Sequence, residues 1–510
     1  MASRSTRRTF LGHAAMGTAF AALGDVSFLS GLPPVSAADA ALSAEAVRFD
    51  AGIEPTVRLL EETPRERLLE EVASRIRGGL SYREVLAALL LAGIRNVQPR
   101  PSVGFKFHAV LVVNSAHIAS LASPPEHRWL PIFWALDHFK DAQQQDVREG
   151  DWTMAGVEEK AVPPADKAAA MFVEAMHAWD EPKADAAAAG VARSVDPKEA
   201  FGLFARLGCR DFRDIGHKAI YVANAWRTLD HIGWQHAEPV LRSLAYALLA
   251  HRGDPSPATS DLPADRPGRR NLERAKSLPA GWQGGKPDGD ATQAMLAALR
   301  DGSEDEACDR AVELIKSGAA PQPIWDAVMT AAAELVMRQP AIVPLHAVTS
   351  ANGLRYAFEH VGDDEVKKLL LLQACAFVPL FREAMGRRGK VADLRIDAIE
   401  PAATDAAGDE AIAAIFADAG RDSAAAAAKT LAYLKKGQSP KALIDTARMI
   451  VFLKGANAHD YKFSSALLED YAHLSPPWRD RYLAAGMFLL RGSGAPDNKL
   501  VARTRAALGT

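Results

Sequence analysis

Cysteine is nearly absent from this 510-residue chain, which has only Cys209, Cys308 and Cys375. Their odd number and wide spacing exclude a disulfide framework, a CxxC zinc site and covalent haem attachment. Aromatic residues amount to 7% and the formal net charge is −3. With no basic surplus or cluster, no nucleic-acid partner is expected. No alternating run of Val, Ile or Thr is long enough to argue for a sheet, and no Gly-x-Gly-x-x-Gly follows a strand-like segment. What remains is 48% hydrophobic and 24% charged and reads as an all-α globular protein.

The most informative stretch runs from Asp211 to Leu249. His217, Tyr221, Asn224, Thr228 and His231 recur there at helical spacing on one face, among Ile220, Val222, Leu229 and several alanines. Such a helix is apolar over most of its circumference and is expected to be buried, so its histidine must find a partner. One histidine in a helix is ordinarily a satisfied core residue. Repetition changes that reading.

Arg77-Gly78-Gly79-Leu80-Ser81-Tyr82 leads through an apolar helix to His108. Lys316-Ser317-Gly318 leads likewise to His346, and Lys435-Lys436-Gly437 to His459. A weaker copy runs from Asp196-Pro197 to His217. Successive histidines lie 109, 129 and 113 residues apart. Each unit reads as a glycine-capped turn, a helix, a loop and a second helix that opens near its histidine. The chain is therefore expected to be a helical-repeat array of four related modules around a central metal site. Imidazole suits iron, zinc, copper or nickel, whereas a repeat that only binds partners has no need of histidine at one register.

Ser5-Thr6-Arg7-Arg8-Thr9-Phe10-Leu11 has the look of a twin-arginine signal. It precedes a weakly apolar segment and small-residue cleavage options near residue 37. Residues 1–37 are read as a signal for the twin-arginine export machinery rather than a membrane anchor, giving a periplasmic or secreted protein. Modules 1 and 2 are placed at 38–251, modules 3 and 4 at 291–510, and the Pro-, Gly- and charge-rich stretch 252–290 is read as a long irregular loop. Gln143–Pro164 reads as a polar connection, and His236 and His251 either as partners behind the site or, one or both, as structural residues. Trp129, Phe133, Trp134 and Phe139, beside Asp137-His138, suit either a pocket wall or core.

Phe107-His108-Ala109-Val110, Gly216-His217-Lys218, Leu345-His346-Ala347-Val348-Thr349-Ser350 and Ala458-His459-Asp460-Tyr461-Lys462 occur in an order that resembles the histidine motifs of the questin oxidase-like family. The resemblance spans most of the chain at low similarity. It implies an all-helical oxygenase with non-haem Fe(II) held by His108, His217, His346 and His459 and by a carboxylated Lys462, acting with O2 on polycyclic aromatic substrates. The long insert at 252–290 departs from that pattern, so the substrate is read more broadly as a small aromatic or other electron-rich molecule. Tyr221, Asn224 and Thr349 are expected to orient substrate or to support the ligands. Two other readings stay open: a zinc-dependent hydrolase at the same histidines, with Asp214 or Asp460 as base, and a non-catalytic helical-repeat binding protein whose histidines do not converge.

Overall fold

Helix starts are written into the sequence and appear where the capping residues place them. Ser81 and Glu84 form a capping box that opens α1 (Tyr82–Asn96), and Asn457 with Asp460 does the same for α10 (Ala458–Asp470). The computed structural model describes residues 52–502, apart from 101, 124, 126, 127 and 250–254. The export segment 1–37 and His251 lie outside the described residues. Among the described residues the protein is all-α, with no strand and only an isolated bridge between Lys286 and Ala319.

Four helices make the centre: α2 (His108–Ala122), α4 (His217–Ile232), α7 (Ile342–His360) and α10. Each packs on two others in the ring α2, α4, α7, α10 and back to α2. They run in parallel, as contacts along their length show. From the histidine end downward, Asn114 meets Asn224 and His117 meets His231 between α2 and α4. Ser465 of α10 donates to the Ser115 carbonyl of α2 at 2.8 Å, and Asn352 of α7 donates to Asp470 of α10 at 2.7 Å. Parallel neighbours cannot be joined by tight turns, so long return segments separate successive histidines.

The helix preceding each central one packs against it from outside. These are α1 on α2, Pro197–Gly208 on α4, α6 (Pro321–Arg338) on α7, and α9 (Pro440–Lys454) on α10. The returning turns use glycine where the backbone is left-handed, at Gly79, Gly318 and Gly437. Two sequence expectations need correction. Gln143–Pro164 is not wholly a connection, because α3 (Trp129–Glu149) continues to Glu149. Nor is 252–290 one irregular loop: α5 (Arg266–Ser277) lies inside it, its apolar face too short to register amid five arginines and lysines. Asn271 of α5 is buried and donates to Gln373 of α8 (Asp364–Gly386) at 2.8 Å.

Candidate metal centre

The parallel arrangement brings four helix N-termini to one end of the bundle, and the histidines sit in their first turns. His108 and His217 open α2 and α4, His346 is the fifth residue of α7, and His459 the second of α10. Ring centroids are 5.0 Å apart for His108 and His217, 4.3 Å for His217 and His346, 5.2 Å for His346 and His459, and 4.4 Å for His459 and His108. His108, His346 and His459 offer ring nitrogens all within 4.8 Å of one another, a group that could hold a metal ion. His217 joins it through His108.

The protonation of three rings follows from their partners. His108 Nδ1 lies 2.7 Å from the Phe105 carbonyl, His217 Nδ1 2.6 Å from that of Asp214, and His346 Nδ1 2.6 Å from that of Ile342. A carbonyl can only accept, so each Nδ1 carries the proton and each Nε2 a lone pair. Yet His108 Nε2 and His217 Nε2 are 3.2 Å apart, which sets two lone pairs face to face. His346 Nε2 is buried with no partner. Protonating the rings is not the remedy, since burial pushes His108, His217 and His346 well below the ordinary histidine range, and burial holds His459 at about 4. Lysine and the neighbouring imidazoles add to the shift, and four helix dipoles point their positive ends at the same place. A cation bound by the lone pairs resolves the conflict. Two nitrogens bound at ~2.1 Å to one metal lie roughly 3 Å apart.

The backbone is strained where it orients the rings. Phe105 has φ 51°, and Asp214, Ile215 and Gly216 have φ 54°, 46° and 77° in succession. Left-handed conformation is costly for phenylalanine and more so for β-branched isoleucine, typically about 1–3 kcal/mol each. Two of the three carbonyls that fix imidazoles come from such residues. At Gly216 a Cβ would come within 2.1 Å of Ser350 Oγ and 3.1 Å of its Cβ, so a side chain there would displace Ser350 as well as strain the left-handed backbone.

Lys462, one turn below His459, is 2% exposed, and its Nζ has no hydrogen-bond partner. Burial lowers its amine to about 7. Its charge acts on all four histidines, so it belongs to the same centre. An ammonium there would repel a metal. The neutral amine has a free lone pair, and with CO2 it forms a carbamate that presents oxygens.

Above the histidines opens a cavity of about 840 Å³. Phe212, Ile215, Leu380 and Ala384 give it apolar walls, and Ser102, Asp214 and His138 add polar groups. Burial raises the Asp214 carboxyl. His138 stacks on Trp134, with centroids 5.0 Å apart, and Trp134 stacks on Tyr461 at 3.5 Å. That aromatic cluster is therefore a pocket wall at His138 and core elsewhere. His138 belongs to no histidine motif; its signal in the sequence is its place in this aromatic cluster, with Trp134 at i−4.

Tyr221, Asn224 and Thr349 do not line this cavity. Tyr221 donates to Ser243 Oγ at 2.8 Å, one turn below His217 and turned toward helix Ala237–Leu248. Asn224 donates to the Leu111 carbonyl at 3.0 Å. With Thr349 it lines a small polar void beneath the histidines, shared with Lys462. These two lie beneath the histidines. His236 lies toward Arg83, away from the cavity. Asp460 is committed as the α10 cap and to Arg491, 2.9 Å away, leaving Asp214 as the cavity's carboxylate beside the histidines.

No family model, curated protein or solved structure matches this chain.

Proposed function

We propose that the protein is an exported non-haem iron oxygenase of the dioxygenase type, in which His108, His217, His346, His459 and Lys462 hold Fe(II). The observation that carries the proposal is the pair of inward Nε2 lone pairs at 3.2 Å, with the Nδ1 protons already committed to backbone carbonyls. Nitrogen ligands with an oxygen ligand from carboxylated Lys462 suit Fe(II), and the bound metal would supply O2 activation. The chain's own residues do the rest. The carbonyls of Phe105, Asp214 and Ile342 fix the ligand tautomers. The apolar walls exclude water and take a flat aromatic or other electron-rich molecule, for which a volume of about 840 Å³ is ample.

A second reading has one observation in its favour: Asp214, with its carboxyl raised by burial, stands in the cavity wall where a zinc hydrolase would need its general base. Metal identity separates the two. The chain is purified without oxygen, reconstituted with Fe(II) and bicarbonate, analysed for metal, and assayed for O2 uptake with hydroxylated polycyclic aromatics. About one iron per chain and substrate-dependent O2 uptake are expected. Stoichiometric zinc retained against iron would favour the hydrolase. Failure to bind any metal would end both readings and leave a helical-repeat binding protein.

A further inference from the structure

The cavity mouth has a chemistry that the metal centre does not require. Six large hydrophobic side chains are conspicuously exposed among the described residues, and three of them, Phe105 at 67%, Ile342 at 47% and Leu262 at 37%, line this one cavity. Phe105 is the most telling. Its carbonyl serves His108, and glycine would adopt φ 51° without strain and do that as well. The ring itself reaches into solvent, so it gains little from burial while the backbone bears the cost. Ile215, at φ 46°, lines the same cavity with a left-handed backbone, though its side chain is half-buried against the core. Two bulky apolar residues of the cavity lining thus occupy positions that suit glycine, and Phe105 stands at the opening.

The same mouth is basic. Arg387 and Arg388 line it, and Lys390 follows on the exposed turn that ends α8. Arg387 pairs with Glu383, while Arg388 and Lys390 have no acidic partner among the described residues. Asp261, beside Leu262, is matched by Arg266 and Arg269. The chain as a whole carries −3, so this cationic group stands against the overall sign. Protruding apolar side chains flanked by arginines fit an anionic lipid surface, with the hydrophobic groups at the acyl boundary and the guanidinium groups among the phosphates. A two-fold contact between copies through this rim would instead set Arg387, Arg388 and Lys390 against themselves.

We infer that the cavity mouth formed by Phe105, Leu262, Ile342, Arg387 and Arg388 docks on an anionic membrane surface, so that an apolar ligand passes from the lipid into the cavity without crossing water. The association is peripheral and independent of which metal the histidines hold.

The test is co-sedimentation of the full-length protein with vesicles of phosphatidylcholine alone and of phosphatidylcholine with phosphatidylglycerol. Two double variants are compared, Phe105→Ser with Ile342→Ser and Arg387→Glu with Arg388→Glu, each checked for helical content by circular dichroism. The protein is expected to pellet with the phosphatidylglycerol vesicles, less so at high salt, and each variant to lose about tenfold or more in partitioning. Absence of binding overturns the inference. So does equal binding to both vesicles, or binding that both variants retain, which would place lipid contact on the apolar stretch Leu11–Leu32.

Discussion

The helices α2 and α4 meet twice through histidines, and the two meetings differ in kind. At their N-terminal ends His108 faces His217; further along, His117 faces His231 with ring centroids 4.0 Å apart. Both groups are buried, and burial lowers the histidines of both. The lower pair, however, has no third metal-ligating group within reach among the described residues, and His117 Nδ1 lies 2.9 Å from the Tyr82 hydroxyl. Arg83 adds positive charge beside His231. The upper group has carbonyls that lock three tautomers, a lysine without a partner and a cavity above. Burial and helical spacing alone do not point to a metal site; convergence from several elements and committed Nδ1 protons do.

The sharpest way to break this contrast is paired substitution. His346→Ala is expected to weaken metal binding by more than about a hundredfold, since a ligand and a fixed tautomer are lost together. His117→Ala should leave metal affinity unchanged, as read by competition with a chelator, and lower stability by about 1–3 kcal/mol through an unsatisfied tyrosine and a small cavity. Equal effects on metal would erase the distinction.

Gly216→Ala comes next. The left-handed φ of 77° and the clash with Ser350 should cost at least about 2 kcal/mol in urea unfolding and weaken metal binding by moving His217. Ile215→Gly, one residue earlier, should do the reverse and stabilise the metal-free chain by about 1 kcal/mol as strain is released.

Lys462→Met sharpens the comparison through pH. In the metal-free chain the folded amine titrates at about 7 and the unfolded one near 10.4. The unfolded state therefore binds more protons between those values, and stability rises with pH across that window. Lys462→Met should abolish that rise and stabilise the chain near neutral pH by about 1–3 kcal/mol. The comparison extends to the acid side. Because His138 and His459 are held at about 4, the unfolded chain takes up protons first as pH falls below about 6.5. Thermal stability of the metal-free chain should decline from there toward pH 4, and at least as steeply once metal occupies His459, because a bound metal excludes the proton from that ring.

Much of this was legible in the chain. Helical period, glycine turns and histidine spacing announced an all-α protein and brought forward the five residues that the structure gathers. What spacing cannot express is which side of a buried helix faces which neighbour. Tyr221 and Asn224 share the stripe of His217, yet a ring of four helices turns successive levels of that stripe toward different partners. The left-handed backbone at Phe105 and Ile215 was illegible too, because neither residue type advertises such a conformation. Segment α5 was hidden by its charge.

The most direct measurement is diffraction from crystals grown with Fe(II) and bicarbonate without oxygen, with an anomalous difference map at the iron edge. One peak among His108, His217, His346 and His459, with density extending from Lys462 Nζ, is the predicted result. A peak at His117 and His231, or no peak while the four Nε2 atoms keep their places, would contradict the account.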